Sequence, residues 1–215
     1  MYRNDFLPED VSRTAFFTGH RHLREDQKEM ISSALFQCLN EAYEAGYRRF
    51  FCGGALGFDT LAAFQTVRLR QIHPDVILSL AIPCENQSDR WSEKDKAVYR
   101  RILELADEKT VLSPFYYQGA MLTRNRYMAD RSSLCICYLS VMRGGTASTV
   151  RYALVHDRIR IVNLAVNEYH NSDLLRENIW NFTFISPSVY KNAATVPLHL
   201  MQQKELHMRH ISICC

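Results

Sequence analysis

Six short apolar runs, each separated from the next by a stretch of helical periodicity, constrain this chain more than any other feature. They are TAFFT (14–18), RFFC (49–52), VILSLAI (76–82), KTVLS (109–113), SLCICYL (133–139) and IRIVNL (159–164). Most are apolar on successive residues, the pattern of strands covered on both faces. In the first intervening helix Met30, Ile31, Ala34, Leu35, Cys38, Leu39 and Ala42 repeat at helical spacing, and Gly46 stands where a C-terminal cap belongs. The second carries Phe58, Leu61, Ala62, Gln65, Leu69 and Ile72 on one stripe and stops before Pro74. The third opens on SEKD, a capping box of Ser92 and Asp95. A polar fourth helix is expected over 119–131, and a fifth just after Gly144-Gly145.

Alternation of this kind predicts an α/β fold: an open doubly wound, mostly parallel, Rossmann-like sheet with helices on both faces. Six strands are too few for a TIM barrel. Residues 1–164 are expected to form this domain. Residues 165–215 then form a C-terminal extension packing on or trailing from it, with a helical stretch at 172–182 and a strand at 183–187.

Composition narrows the class. The net charge of +3 over 215 residues is thin support for a nucleic-acid partner. The N-terminus MYRNDFLPEDVSRT lacks the apolar core of a secretory signal. No apolar run approaches the roughly 18–20 residues that cross a bilayer. The seven cysteines are odd in number and form no C-x-x-C pair, which argues against a disulfide framework or a zinc site. His207, Arg209 and His210 read as a solvated helix face, not a metal site. A cytoplasmic protein with no membrane contact and no metal is expected, and a homo-oligomer is compatible with such a fold.

Ligands of open α/β sheets bind beyond the carboxyl ends of the strands. The segments there are TGHRHL after the first strand, GGALGFD after the second, IPCENQSDRW after the third, SPFYYQGAMLTRNRYM after the fourth and SVMRGGTAST after the fifth. Gly53, Gly54 and Gly57 answer either to backbone geometry or to an anion at the following helix N-terminus. Asp59 either caps that helix or accepts from a ribose hydroxyl or base amine. Gly144, Gly145 and Thr146 make a second such turn, with a hydroxyl suited to phosphate. Thr18, Gly19, His20 and Arg21 project over the binding edge, with Arg21 placed for bidentate phosphate contact. Arg124, Asn125 and Arg126 lie early in a helix, where cations oppose the dipole. Gln87 and Trp91 are candidates for base contact, although a Trp just before a helix more often packs as a staple.

FTGHR (17–21), FFCGGALGFDTLAA (50–63), IPCENQSDRW (82–91), LTRNRYMADRS (122–132) and GGTASTVRYAL (144–154) together resemble the YpsA-like (DUF1273) proteins of the SLOG superfamily. These are relatives of the DprA DNA-processing proteins and of the LOG (lysine decarboxylase-like) phosphoribohydrolases. The resemblance covers about two-thirds of the chain and implies a nucleotide or nucleotide derivative at the strand-end loops. It places Gly19, Arg21, Gly53, Gly54, Asp59, Arg124, Asn125, Gly144, Gly145 and Thr146 around that ligand.

The LOG pattern P-G-G-x-G-T-x-x-E is altered here. Arg143 replaces the proline, Ala147 the third glycine, and Arg151 the catalytic glutamate. The acidic residue that YpsA-like proteins often carry after the fifth strand is also absent, where Leu139 and Ser140 stand.

Three readings follow. The first is a nucleotide-binding regulatory or sensor protein. The second is a nucleoside-monophosphate phosphoribohydrolase-like enzyme, with Asp59 the best catalytic candidate. The third is a DprA-like single-stranded DNA binder.

Overall fold

In a computed structural model, residues 8–165 and 182–184 are described. A short helix α1 (Pro8–Ser12) leads into β1 (Thr14–Gly19) and α2 (Lys28–Glu44). Then follow β2 (Arg49–Cys52), α3 (Phe58–Ile72), β3 (Ile77–Ile82), α4 (Glu93–Leu105), β4 (Glu108–Val111), α5 (Ala120–Asp130), β5 (Leu134–Tyr138), α6 (Gly144–Leu154), β6 (Arg160–Asn163) and β7 (Phe182–Phe184). One sheet in the order β4-β3-β2-β1-β5-β6-β7 contains them, and every strand pair is parallel. This is the open, doubly wound Rossmann-like arrangement expected. The strand near 183–187 lies slightly earlier, at Phe182–Phe184, and adds a seventh strand beside β6. The helical stretch expected over 172–182, apart from Phe182, and the 207–210 cluster lie outside the described residues.

The central strands are apolar on successive residues because each face meets helices, whereas the edge strand β4, EKTV, alternates between half-buried and exposed residues. Ala15, Phe17, Phe50, Leu78, Leu80 and Ile136 face one side, with Leu35 and Leu39 of α2, Ala62 and Leu69 of α3, and Ile102 of α4. Phe16, Phe51, Ala81, Cys135, Cys137 and Ile161 face the other, with Met128 and Ala129 of α5 and Val150 and Ala153 of α6. Each fully buried phenylalanine contributes on the order of 2–3 kcal/mol in apolar surface removed from water.

Helix ends follow the chemistry of their sequences. Gly46, at φ 98°, ends α2: its amide donates to Tyr43 O and the next amide, of Tyr47, to Ala42 O. That is the Schellman pattern, which an L side chain resists. Ser92 caps α4, its hydroxyl accepting from Asp95 N at 3.2 Å. Helix α6 begins at Gly144, with both glycines inside its first turn.

Strand order reverses direction at β1, which pairs with β2 on one side and β5 on the other. A crevice at the carboxyl ends of these strands is where folds of this kind place ligands. Among the described residues no helix is long and apolar enough to cross a membrane, and no cluster of metal-ligating side chains occurs. The described cysteines Cys38, Cys52, Cys84, Cys135 and Cys137 are free and buried.

Candidate functional site

The Gly53–Gly57 turn is built around one arginine. Arg124 projects from α5, is 5% exposed, and lies against Gly53 so closely that a Cβ there would fall inside its guanidinium. Its Nη1 stands 3.6 Å from Asp59 Oδ2, within ion-pair range but beyond a good hydrogen bond. Arg124 Nε and Nη1 have no hydrogen-bond partner. A buried guanidinium with unfilled donors is costly unless something accepts from it.

Asp59 lies in the first turn of α3, whose cap residue is Gly57. Its carboxylate does not cap the helix: Oδ2 accepts from Ala55 N at 3.4 Å and faces Arg124. Burial pushes the Asp59 carboxyl above the usual range, and the Arg124 charge and the Ala55 and Gly53 amides offset part of that. Cys52 Sγ accepts from Gly54 N at 3.4 Å and donates to Asp59 O at 3.2 Å, tying strand end to helix start.

Gln87 reaches the same turn, donating from Nε2 to Gly54 O at 3.1 Å, and its Oε1 is buried without a partner. Tyr99 of α4 covers Gly54, its Cε2 3.0 Å from where a Cβ would stand. Burial pushes the Tyr99 phenol up to about 12, so it stays protonated. Trp91 packs edge-on against Tyr99 at 5.2 Å and lies beneath Arg21 at 5.6 Å. Tyr99 was not anticipated from sequence, because it lies on the buried helical stripe that also carries Ile102 and reads as core.

Gly19 ends β1 directly over Phe58, whose ring occupies the space a Cβ would need. Thr18 beside it is buried. His20 turns toward the β5–α6 loop, and its Nε2 accepts from Ser140 N at 3.0 Å and Val141 N at 3.3 Å. Both bonds need a neutral imidazole, and partial burial lowers its pKa from the ordinary 6.5. Because the folded state resists protonation, this latch stabilises the loop fully above about pH 6.5. Its contribution fades as pH falls through the lowered value. The Ser140 amide resonance is therefore expected to titrate with a midpoint below 6.5; a midpoint at or above 6.5 would contradict the latch.

The second glycine turn is open. Nothing lies within 4 Å of a Cβ built at Gly144 or Gly145, and no side chain caps α6. The first amides of that helix are left without intrahelical acceptors. Thr146 is buried in the same turn. Asn125 is held by the helix itself, donating to Thr149 Oγ1 at 2.6 Å, while Thr149 donates to Gly145 O. Arg151, in place of the LOG glutamate, is exposed and donates to Met142 O.

A further clamp came from a residue not anticipated. Asn163, at the end of β6, is buried, accepts from Leu139 N and Ala165 N, and donates to Leu139 O. Its signal was an amide set inside the apolar run IRIVNL, one residue before its end. The structure thus gathers Gly53, Gly54, Asp59, Gln87 and Arg124 into one cluster and Asn125, Gly144, Gly145 and Thr146 into another. His20 bonds the loop that leads to the second, and Arg21 stays at the rim over Trp91.

Fold and strand-end turns define a doubly wound α/β protein with its polar residues at the carboxyl edge of the sheet. A model of the YspA SLOG family matches residues 16–157, and the chain belongs to that family. It is 32% identical over 117 residues to the uncharacterized SPbeta prophage-derived protein YoqJ of Bacillus subtilis (strain 168), covering 49% of this chain and 68% of that protein. It is 31% identical over 104 residues to the UPF0398 protein BH1768 of Halalkalibacterium halodurans, covering 47% of this chain and 55% of that one. The fold is also that of DNA processing protein A from Helicobacter pylori, described in its single-stranded DNA binding mode. There the TM-score is 0.56 at 19% identity, over 90% of this chain and 82% of that one.

Proposed function

We propose that the protein binds a nucleotide or nucleotide-derived small molecule at the carboxyl edge of its sheet and acts as a regulatory sensor. The observation that carries this is Arg124: a buried guanidinium with two unsatisfied nitrogens, set against the Gly53-Gly54 turn. A phosphate would supply the missing acceptor and charge. The uncapped, sterically open N-terminus of α6 offers backbone amides and a favourable dipole for a second anionic group. No catalytic carboxylate stands at the LOG glutamate position, so binding without turnover fits this chain better than hydrolysis. No resident cofactor is proposed.

A thermal-shift screen against nucleoside mono- and diphosphates, dinucleotides and a single-stranded oligonucleotide tests it, with each hit checked for breakdown. A ligand at a hundred times its Kd should add about 2.7 kcal/mol of stability and be recovered intact. The double variant Asp59→Asn/Arg124→Met leaves no buried charge unpaired, and it is expected to lose that response. Stabilisation by no nucleotide would overturn the proposal. Breakdown of the ligand, lost on Asp59→Ala, would make the protein a hydrolase instead. A response confined to the oligonucleotide and steeply salt-dependent would favour DNA binding, the activity named for the H. pylori fold relative.

A further inference from the structure

Between β4 and α5 the chain presents three consecutive aromatic residues to solvent: Phe115, Tyr116 and Tyr117 are 73%, 60% and 43% exposed. Hydrogen bonds hold the loop in place. Ser113 Oγ donates to Phe115 O at 2.7 Å and accepts from Phe115 N at 3.3 Å. Tyr116 N donates to Asn86 Oδ1 at 2.9 Å, and Tyr117 O accepts from Ala120 N at 3.0 Å. Asn86 also links the loop to the candidate site, because its neighbour Gln87 is bonded to Gly54 O. From the other side the loop runs directly into α5. Arg124 is the fifth residue of that helix, about 7 Å of axial rise beyond the loop. Two independent connections thus tie the aromatic loop to the arginine and to its glycine turn.

We infer that Phe115, Tyr116 and Tyr117 form a stacking platform for the nucleobase of a ligand whose phosphate meets Arg124. This rests on the nucleotide reading above and adds its base subsite. Large rings kept in water by a pinned loop present π faces that any base can cover, and such stacking is tolerant of base identity. A hydrogen-bonded loop also loses little conformational freedom when a base arrives.

Calorimetric titration with two probes tests the inference: AMP, and ribose 5-phosphate, which keeps the sugar phosphate and lacks the base. The wild type is expected to bind AMP roughly tenfold to a hundredfold more tightly than ribose 5-phosphate. Phe115→Ala/Tyr116→Ala/Tyr117→Ala should bring AMP down to the level of ribose 5-phosphate and leave the latter unchanged. Its substitutions lie on exposed side chains, and an unchanged Tm verifies its fold. Equal binding of the two probes by the wild type, or a preference that survives in the variant, overturns the base subsite while leaving phosphate binding intact. Binding of neither probe overturns the subsite, and only together with no response across the nucleotide panel above does it overturn the nucleotide reading. Sedimentation gives one more outcome: an oligomer that dissociates in the variant with AMP affinity unchanged would assign the rings to an interface between copies, overturning the inference.

Discussion

Replacing Gly53 with alanine is expected to destabilise the protein by about 3–5 kcal/mol and to abolish the nucleotide response proposed above, although one methyl group is all that is added. Gly53 is not among the positive-φ glycines, so its backbone accepts alanine without strain. The cost comes from Arg124, whose guanidinium occupies the space of the missing side chain. Displacing it leaves Asp59 buried with only backbone donors for a partner. Breaking a buried pair from one side costs far more than never having made it. Denaturant melts in two backgrounds check the cause. A Cβ at Gly53 would also meet Asp59 Oδ2 at 2.7 Å, so in Asp59→Ala/Arg124→Ala, where neither the carboxylate nor the guanidinium remains, Gly53→Ala should cost less than about 1 kcal/mol, a strong departure from additivity. Equal costs in both backgrounds would show that Gly53 serves something other than Arg124.

That pairing marks the boundary of what the sequence discloses. Continuous apolar runs such as LCICY identify strands buried on both faces, because each face demands its own apolar residues. Gly46 and Ser92 identify helix ends, since their chemistry is local. The turns at strand ends stand out in the sequence as a group because folds of this class place ligands there. What each residue touches was not legible. Gly53 and Arg124 are far apart in the chain, and no spacing rule connects them. His20 reads as a ligand contact because it follows a buried strand and a glycine. Its ring accepts from the amides of a loop brought alongside by the β1–β5 pairing, a partner that no spacing rule discloses. Asp59, near a helix start, reads either as a cap or as an acceptor for a ligand, and neither reading discloses that its carboxylate faces an arginine delivered by the crossover from β4 to β5. Long-range partners depend on strand order, and strand order is not written in periodicity.

Gly57→Ala is expected to be comparably damaging, at about 3–5 kcal/mol, for a reason no companion mutation can relieve. Gly57 has φ 80° and ψ −119°, and a Cβ there would overlap the backbone carbonyl of Arg21. The strain of such a conformation is on the order of 1–3 kcal/mol, and forced overpacking adds a similar amount. Asparagine, which tolerates left-handed helical geometry near ψ +47°, is not expected to rescue it, because ψ here lies far from that region. Truncating Arg21 should not help either, since the obstruction is main chain. Gly144 is the contrast: at φ 78° it has open space around it. Alanine there should cost only the conformational strain, roughly 1–2 kcal/mol.

Damage at Gly57 should also travel. The carbonyl of His20 accepts from Phe58 N at 3.1 Å, so moving the turn moves His20, and with it the amides of Ser140 and Val141 that lead to the second glycine turn. Amide shifts at Ser140 and Val141 in Gly57→Ala, compared with Gly144→Ala, measure that coupling. A Gly57→Ala protein within 1 kcal/mol of wild type, with both amides unmoved, would show that the two glycine turns are independent.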